Sequence, residues 1–107
     1  VDAPALAFRL PPSVDTALFR IAQEALTNVV KHARASSVAV RLKELHGGVR
    51  LEIEDDGIGF DPETLAASEP HWGQEIMRER AEAVGARLSI HSRPGLGTQV
   101  IVEVPPP

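Results

Sequence analysis

One long stretch of the chain places its apolar residues at helical spacing. From residue 14 to about residue 33 they recur every three or four positions, at Val14, Leu18, Ile21, Ala22, Ala25, Leu26, Val29 and Val30. Such spacing lines one face of an α-helix. Ser13 stands just before the stretch as a candidate N-cap, and Asp15 follows in the first turn. We therefore predict a long amphipathic helix that packs against another layer of the protein.

The remaining apolar residues predict a second helix and several short strands. Helical spacing returns at the apolar residues Ile76, Met77, Ala81 and Val84, with the charged Arg80 in the same stretch. Gly85 follows, where a glycine commonly ends a helix. Apolar residues alternate with other residues in five runs, which is typical of strands: Leu6, Phe8 and Leu10; Val38, Val40 and Leu42; Val49, Leu51 and Ile53; Leu88 and Ile90; Val100, Val102 and Val104.

The turn residues between these runs define the predicted architecture. Pro11 and Pro12 stop the first run, and His46-Gly47-Gly48 joins the second run to the third as a hairpin. The elements together predict an α/β protein, a two-layer α/β sandwich with a mixed sheet of about five strands and helices on one face. Residues 55–75 show no sustained period, and a loop of roughly 20 residues in so small a domain is usually functional.

Length and charge limit the classes of protein to be considered. The 107 residues suit a single domain, here residues 1–107, and the net charge of −4 argues against a nucleic-acid partner. The chain has no cysteine, so disulfides and thiolate metal sites are excluded, and its four histidines show no ligand spacing. It begins at Val1 rather than at a methionine and ends in three prolines, so we expect the C-terminal part of a longer protein.

Polar residues on the first predicted helix form a candidate binding edge. Glu24, Asn28 and Lys31 are spaced by four and then three residues, which confines them to a wedge of about 60° on the helix. A carboxylate, an amide oxygen and an ammonium suit a magnesium-phosphate group. On spacing alone, a solvated polar face with a Glu–Lys pair is the alternative interpretation.

Two glycine-containing segments at strand ends are further candidates. Glu54-Asp55-Asp56-Gly57-Ile58-Gly59-Phe60 follows a strand, and such a carboxylate could accept a hydrogen bond from an exocyclic amine such as that of adenine. Gly95-Leu96-Gly97-Thr98 leads into the last strand. An acidic turn and a plain hairpin turn are the respective alternatives. Neither segment is a dinucleotide fingerprint or a Walker A loop.

The three segments in this order resemble the GHKL superfamily of ATPases, which includes gyrase B, Hsp90, histidine kinases and MutL. Residues 21–33 resemble its N box, residues 56–60 its G1 box, and residues 95–98 the end of its G2 region. The resemblance covers nearly the whole chain. It implies the Bergerat ATP-binding fold, with ATP and Mg²⁺ as ligands.

A narrower resemblance points to sensor histidine kinases. Residues 19–25 and 77–81 are similar to those of sensor kinases that signal to response regulators of the NarL/LuxR type, and residues 71–77 look most like the nitrate/nitrite sensors of that group. Many relatives carry Leu at position 74 and Gly at position 76, where this chain has Gln74 and Ile76.

The resemblance implies roles for residues of the helix edge. Asn28 would hold Mg²⁺ through its side-chain oxygen, and Lys31 and His32 would contact phosphates. Glu24 matches the carboxylate that activates water in ATPases of the superfamily. In a kinase the nucleophile is a histidine, so Glu24 would orient or polarise instead.

The resemblance also implies roles for the glycine-containing segments. Asp56 would accept the adenine amino hydrogen, Gly57 and Gly59 would let the backbone pass close to the base, and Thr98 would complete that pocket. The other cofactor-binding positions would be Phe60, Gly97 and Gly73. Residues 61–72 would form a lid over ATP, with Gly73 as its hinge.

The expected function is therefore ATP-dependent phosphorylation of a histidine on a separate dimerisation domain, followed by transfer to a NarL/LuxR-type regulator. The domain would be a cytoplasmic part of an inner-membrane sensor, without direct membrane contact, and the isolated fragment would not phosphorylate itself. The alternatives are a stand-alone ATPase, an anti-sigma-type serine kinase and a non-catalytic nucleotide-binding module.

Overall fold

The computed structural model describes residues 10–30, 35–58, 74–93 and 95–106. The elements are the helices α1 (Pro12–Asn28) and α2 (Gln74–Ala83) and the strands β1 (Val38–Leu45), β2 (Gly48–Asp55), β3 (Arg87–Ser92) and β4 (Thr98–Val104). The strand predicted around Leu6, Phe8 and Leu10 lies outside the described residues except for Leu10.

Helix α1 begins two residues earlier than the predicted N-cap Ser13 allows, because the residue at the N-cap position is Pro11. Pro12 occupies the first turn, where its fixed φ and missing N–H are tolerated, and no side chain caps the helix. The amides of Val14 and Asp15 donate to the Pro11 carbonyl at 2.9 and 3.1 Å. The prediction that Ser13 caps the helix was therefore wrong. The helix continues into a short π-helical stretch at Val29 and Val30.

The described strands form one four-stranded sheet in the order β1-β2-β4-β3. All pairings between these four strands are antiparallel. A parallel pairing, which a mixed sheet requires, would have to involve residues outside the described part of the chain. The predicted α/β class is confirmed, with four described strands against the five predicted.

Local turn chemistry explains two connections that the sequence predicted. The β1–β2 hairpin turns at His46 and Gly47, which have φ angles of 51° and 81° and so match the two-residue turn of twisted hairpins. Gly85, with a φ of 72°, ends α2 as expected. Its amide donates to the Glu82 carbonyl at 3.1 Å and that of Ala86 to Ala81 at 2.9 Å, which is the Schellman pattern.

The core lies between the two helices and one face of the sheet. Alternate residues of β2 point into it, and the largest fully buried side chains come from three elements: Ile21, Met77 and Val102. Both helices pack against the same sheet face, as predicted for a two-layer sandwich. The other face of the sheet carries ion pairs such as Lys43–Glu52, at 3.0 Å.

Candidate functional site

Three polar side chains lie in a row across one end of the sheet. Asp55 ends β2 opposite Thr98 at the start of β4, and Thr98 lies opposite Ser92 at the end of β3. Ile53 and Val100, two residues further into their strands, are core residues beneath the helices. Because side chains alternate between sheet faces, the row Asp55, Thr98 and Ser92 lies on the helix-covered face.

Asp55 is a largely buried carboxylate at one end of this row. The residue is only 8% exposed. Its Oδ1 accepts a hydrogen bond of 2.8 Å from the Gly57 amide. Among the described residues, no hydrogen bond reaches its second oxygen. That oxygen is an acceptor available to a ligand that donates.

The second glycine-containing segment packs directly on this strand end. Gly97 has a φ of 82°, and a Cβ there would overlap the Asp55 carbonyl oxygen and lie 3.3 Å from the Asp56 Cα. The Gly95 amide donates to the Ile58 carbonyl. Only glycine allows so close an approach of two backbones. The structure thus brings together the two segments that the sequence singled out separately.

Two hydroxyl groups link the row to this loop. Ser92 Oγ donates to the Gly97 carbonyl at 3.0 Å, and it lies 2.8 Å from Thr98 Oγ1. Thr98 was predicted as a pocket residue, whereas Ser92 was not singled out. Strand register could have found it, because Ser92 pairs with Thr98.

Asp56 faces a different part of the molecule from Asp55. Its Oδ1 accepts the amides of Ser36 and Ser37 at 2.7 and 2.9 Å, and its Oδ2 accepts the Ser37 hydroxyl at 3.2 Å. The amide of Ser37, more than any other group, lowers the pKa of the Asp56 carboxyl. Asp56 therefore holds the segment before β1.

This arrangement differs from the predicted base-binding role of Asp56. The motif predicted that the acceptor is Asp56, the residue directly before Gly57. Strand parity instead carries Asp55 to the helix-covered face, since Ile53 already points into the core. The alternation of buried residues along β2 already indicated this face for Asp55. The strand ends at Asp55, one residue before the predicted motif begins at Asp56.

The helix edge is described only in part. Glu24 and Asn28 lie on α1, and both are half-buried. Lys31 and His32, which were predicted to contact phosphates, fall outside the described residues, and so do Gly59, Phe60, Gly73 and the predicted lid at residues 61–72. Among the described residues, no three His, Cys, Asp or Glu side chains are grouped to hold a metal ion.

The chain belongs to the family of histidine kinase-, DNA gyrase B- and HSP90-like ATPases, whose model matches residues 13–107. It is similar to an uncharacterized sensor-like histidine kinase of Chloroflexus aurantiacus, with 42% identity over 91% of this chain and 17% of that protein. It is also similar to the sensor histidine kinase LiaS of Bacillus subtilis, with 42% identity over 86% of this chain and 25% of LiaS.

A solved structure supports the same fold. The blue-light activated histidine kinase of Erythrobacter litoralis EL346 aligns with 97% of this chain and 33% of its own, with a TM-score of 0.79 and 26% identity. The chain is thus an ATP-binding domain of the histidine kinase type, and it spans a quarter or less of the two curated relatives above. In the described part of the chain, no helix is long and apolar enough to cross a membrane.

Proposed function

We propose that this chain binds Mg-ATP and donates the γ-phosphate to a histidine on a separate dimerisation domain. Asp55 is the observation that carries the proposal, because its buried carboxylate is held by the Gly57 amide beside the Gly95–Thr98 segment. A buried acceptor next to closely packed backbone is suited to a flat, amino-bearing base. The family match supports ATP as the ligand.

Base recognition falls to Asp55 in this proposal, and Asp56 has a supporting role. An adenine amino group would donate to the second Asp55 oxygen, with Thr98 beside it. Gly57 and Gly97 would let the backbone lie close to the base, and Gly59 and Phe60 would continue that wall. The carboxylate of Asp56 is already bonded to Ser36 and Ser37.

The phosphate end of the site belongs to α1. Asn28 offers one amide oxygen, which fits Mg²⁺ because this ion is usually held by few protein oxygens together with water and substrate phosphates. Lys31 and His32 would contact phosphates, and Glu24 would orient or polarise the reacting groups. Phosphoryl transfer needs positioning and charge neutralisation above all, which such an edge supplies.

The names of the relatives support the signalling system that we propose for this domain. Their names include sensor histidine kinases, which favours two-component signalling over a stand-alone ATPase, a serine kinase or a non-catalytic module. The partners proposed are a phosphoacceptor domain and a NarL/LuxR-type regulator, and the location proposed is the cytoplasmic side of an inner-membrane sensor. Nitrate or nitrite sensing stays a prediction that rests on the resemblance of residues 71–77 alone.

Calorimetric titration with ADP, and with GDP as the control, tests this proposal. We expect ADP to bind and GDP to bind at least tenfold more weakly. Asp55→Asn keeps the shape of the side chain but turns one acceptor into a donor, which should weaken ADP binding by tenfold or more. Asp56→Asn is the matched control and should weaken it much less. Equal losses for the two variants, or no ADP binding by the wild type, would overturn the proposal.

A further inference from the structure

Ser92 is a buried hydroxyl that none of the roles above uses. It is 9% exposed at the end of β3, and it lies in the same row as Asp55 and Thr98. Its Oγ is 3.0 Å from the Gly97 carbonyl oxygen and 2.8 Å from Thr98 Oγ1. Burial and two short hydrogen bonds fix the hydroxyl in one place, so its proton has a definite direction.

Counting protons determines the direction of the second hydrogen bond. A serine hydroxyl has one hydrogen, and a carbonyl oxygen can only accept. The Ser92 hydrogen is therefore committed to Gly97, and the hydrogen between Ser92 and Thr98 must come from Thr98. With its hydrogen turned toward Ser92, Thr98 Oγ1 offers only lone pairs to any other group.

We propose that Ser92 is a specificity-determining residue that makes the Thr98 side chain accept a hydrogen bond from the ligand without donating one. Asp55 is also an acceptor when ionised. The neighbouring side chains Asp55 and Thr98 can therefore both bond only to a ligand group that donates. An amino-bearing purine such as adenine meets that demand. Hypoxanthine carries a carbonyl in place of that amino group and would face two acceptors. The inference rests on the proposed function of the site.

Removing the Ser92 hydroxyl should relax this discrimination. In Ser92→Ala the Thr98 hydroxyl loses its acceptor and becomes free to rotate and donate to a purine carbonyl. IDP should then bind better relative to ADP. The dissociation constant for IDP divided by that for ADP should fall by about two- to tenfold, which is the usual effect of one hydrogen bond. A purely structural role for Ser92 would weaken both ligands by the same factor and leave the ratio unchanged.

The experiment is a pair of calorimetric titrations, ADP and IDP, on the wild type, Ser92→Ala and two controls. Ser92→Thr keeps the hydroxyl and should keep the ratio. Ser89→Ala removes a hydroxyl from the opposite face of the same strand and should not change the ratio. If Ser92→Ala does not fold, Ser92→Cys is the second variant. It is close in size, and its sulfur is a weak acceptor, so the ratio should shift in the same direction.

The outcomes separate the two proposals. A wild type that binds neither nucleotide overturns the proposed function and this inference together. A wild type that prefers ADP, with the same ratio in Ser92→Ala, overturns the role of Ser92 and leaves the proposed function standing. A ratio that falls in Ser92→Ala and is kept in Ser92→Thr supports it.

Discussion

At the scale of single residues, hydrogen bonds that stabilise a carboxylate make folding depend on pH. The Ser37 and Ser36 amides lower the pKa of Asp56 from its usual 3.8. Asp56 therefore contributes stability that is complete above about pH 4 and is lost as the pH falls through its lower folded-state pKa. A hydrogen bond from Lys43 lowers the pKa of Glu52 as well, so both groups act in the same acid range.

We expect Asp56→Asn to flatten part of the acid loss of stability. Urea midpoints measured between pH 2 and pH 6 should fall less steeply below pH 4 in the variant, because position 56 no longer titrates. The remaining acid loss comes from Glu52. Ser37→Ala removes only the hydroxyl donor and should have a smaller effect in the same direction. Identical slopes for the wild type and Asp56→Asn would show that the Asp56 hydrogen bonds are not made in solution.

A second residue-scale prediction concerns the hairpin turn. His46 adopts a φ of 51°, a left-handed conformation that costs histidine more than it costs asparagine in this type of turn. His46→Asn, followed by Gly47, should therefore stabilise the protein by about 0.5 kcal/mol, and the thermal midpoint should rise. His46→Val is the contrasting control and should lower the midpoint, because β-branched residues tolerate this conformation poorly. A midpoint that does not rise in His46→Asn would contradict the turn geometry.

At the scale of elements, periodicity and turn chemistry predicted the helices, strands and turns that depend only on neighbouring residues. The β1–β2 hairpin and the end of α2 at Gly85 follow from rules that involve a few neighbouring residues. Single-residue boundaries were less predictable, because Ser13 and Pro12 are both good starts for a helix and only the fold shows which one is used. The Asp55–Asp56 assignment depended on which face of β2 is buried, a property of the whole sheet.

The polar edge of α1 gives the prediction at this scale. If Asn28 supplies an oxygen to Mg²⁺, Asn28→Ala should weaken nucleotide binding in the presence of magnesium. It should have little effect when EDTA removes the metal, because only the metal-dependent part needs that oxygen. Calorimetry with ADP under the two conditions measures the difference. Gln23→Ala, an exposed polar change on the same helix, is the matched control. Equal losses with and without magnesium would remove Asn28 from the metal site.

At the scale of the whole molecule, the candidate site is made of groups distant in sequence. Gly97 packs on Asp55, and Ser36 bonds to Asp56. The sheet order β1-β2-β4-β3 creates these contacts by placing β4 beside β2. No periodicity in the sequence encodes that order. The resemblance of three motifs to one family supplied it indirectly, whereas the face on which Asp55 or Asp56 lies depends on the register of the sheet.

The last prediction concerns what the chain cannot do alone. Two of its four histidines lie in the described part, with His46 exposed in a hairpin turn and His91 exposed on β3. Ser92 lies on the helix-covered face, and adjacent residues of a strand point to opposite faces. His91 therefore points away from the row Asp55, Thr98 and Ser92. In-line transfer requires an acceptor nitrogen about 3–3.5 Å from the phosphorus, and neither residue is placed for that.

We therefore expect the 107-residue chain to bind γ-labelled ATP without labelling itself. Adding the proposed dimerisation domain should produce acid-labile label, on that domain and not on this chain. The label should disappear when Asp55→Asn replaces the wild type, because the donor site would be impaired. Replacing His46 should leave the label unchanged.

His32, which is predicted to contact phosphate, is the decisive control. Acid-labile label on the isolated chain that His32→Gln abolishes would show that the acceptor lies within these residues, and it would change the role given to His32 from phosphate contact to nucleophile.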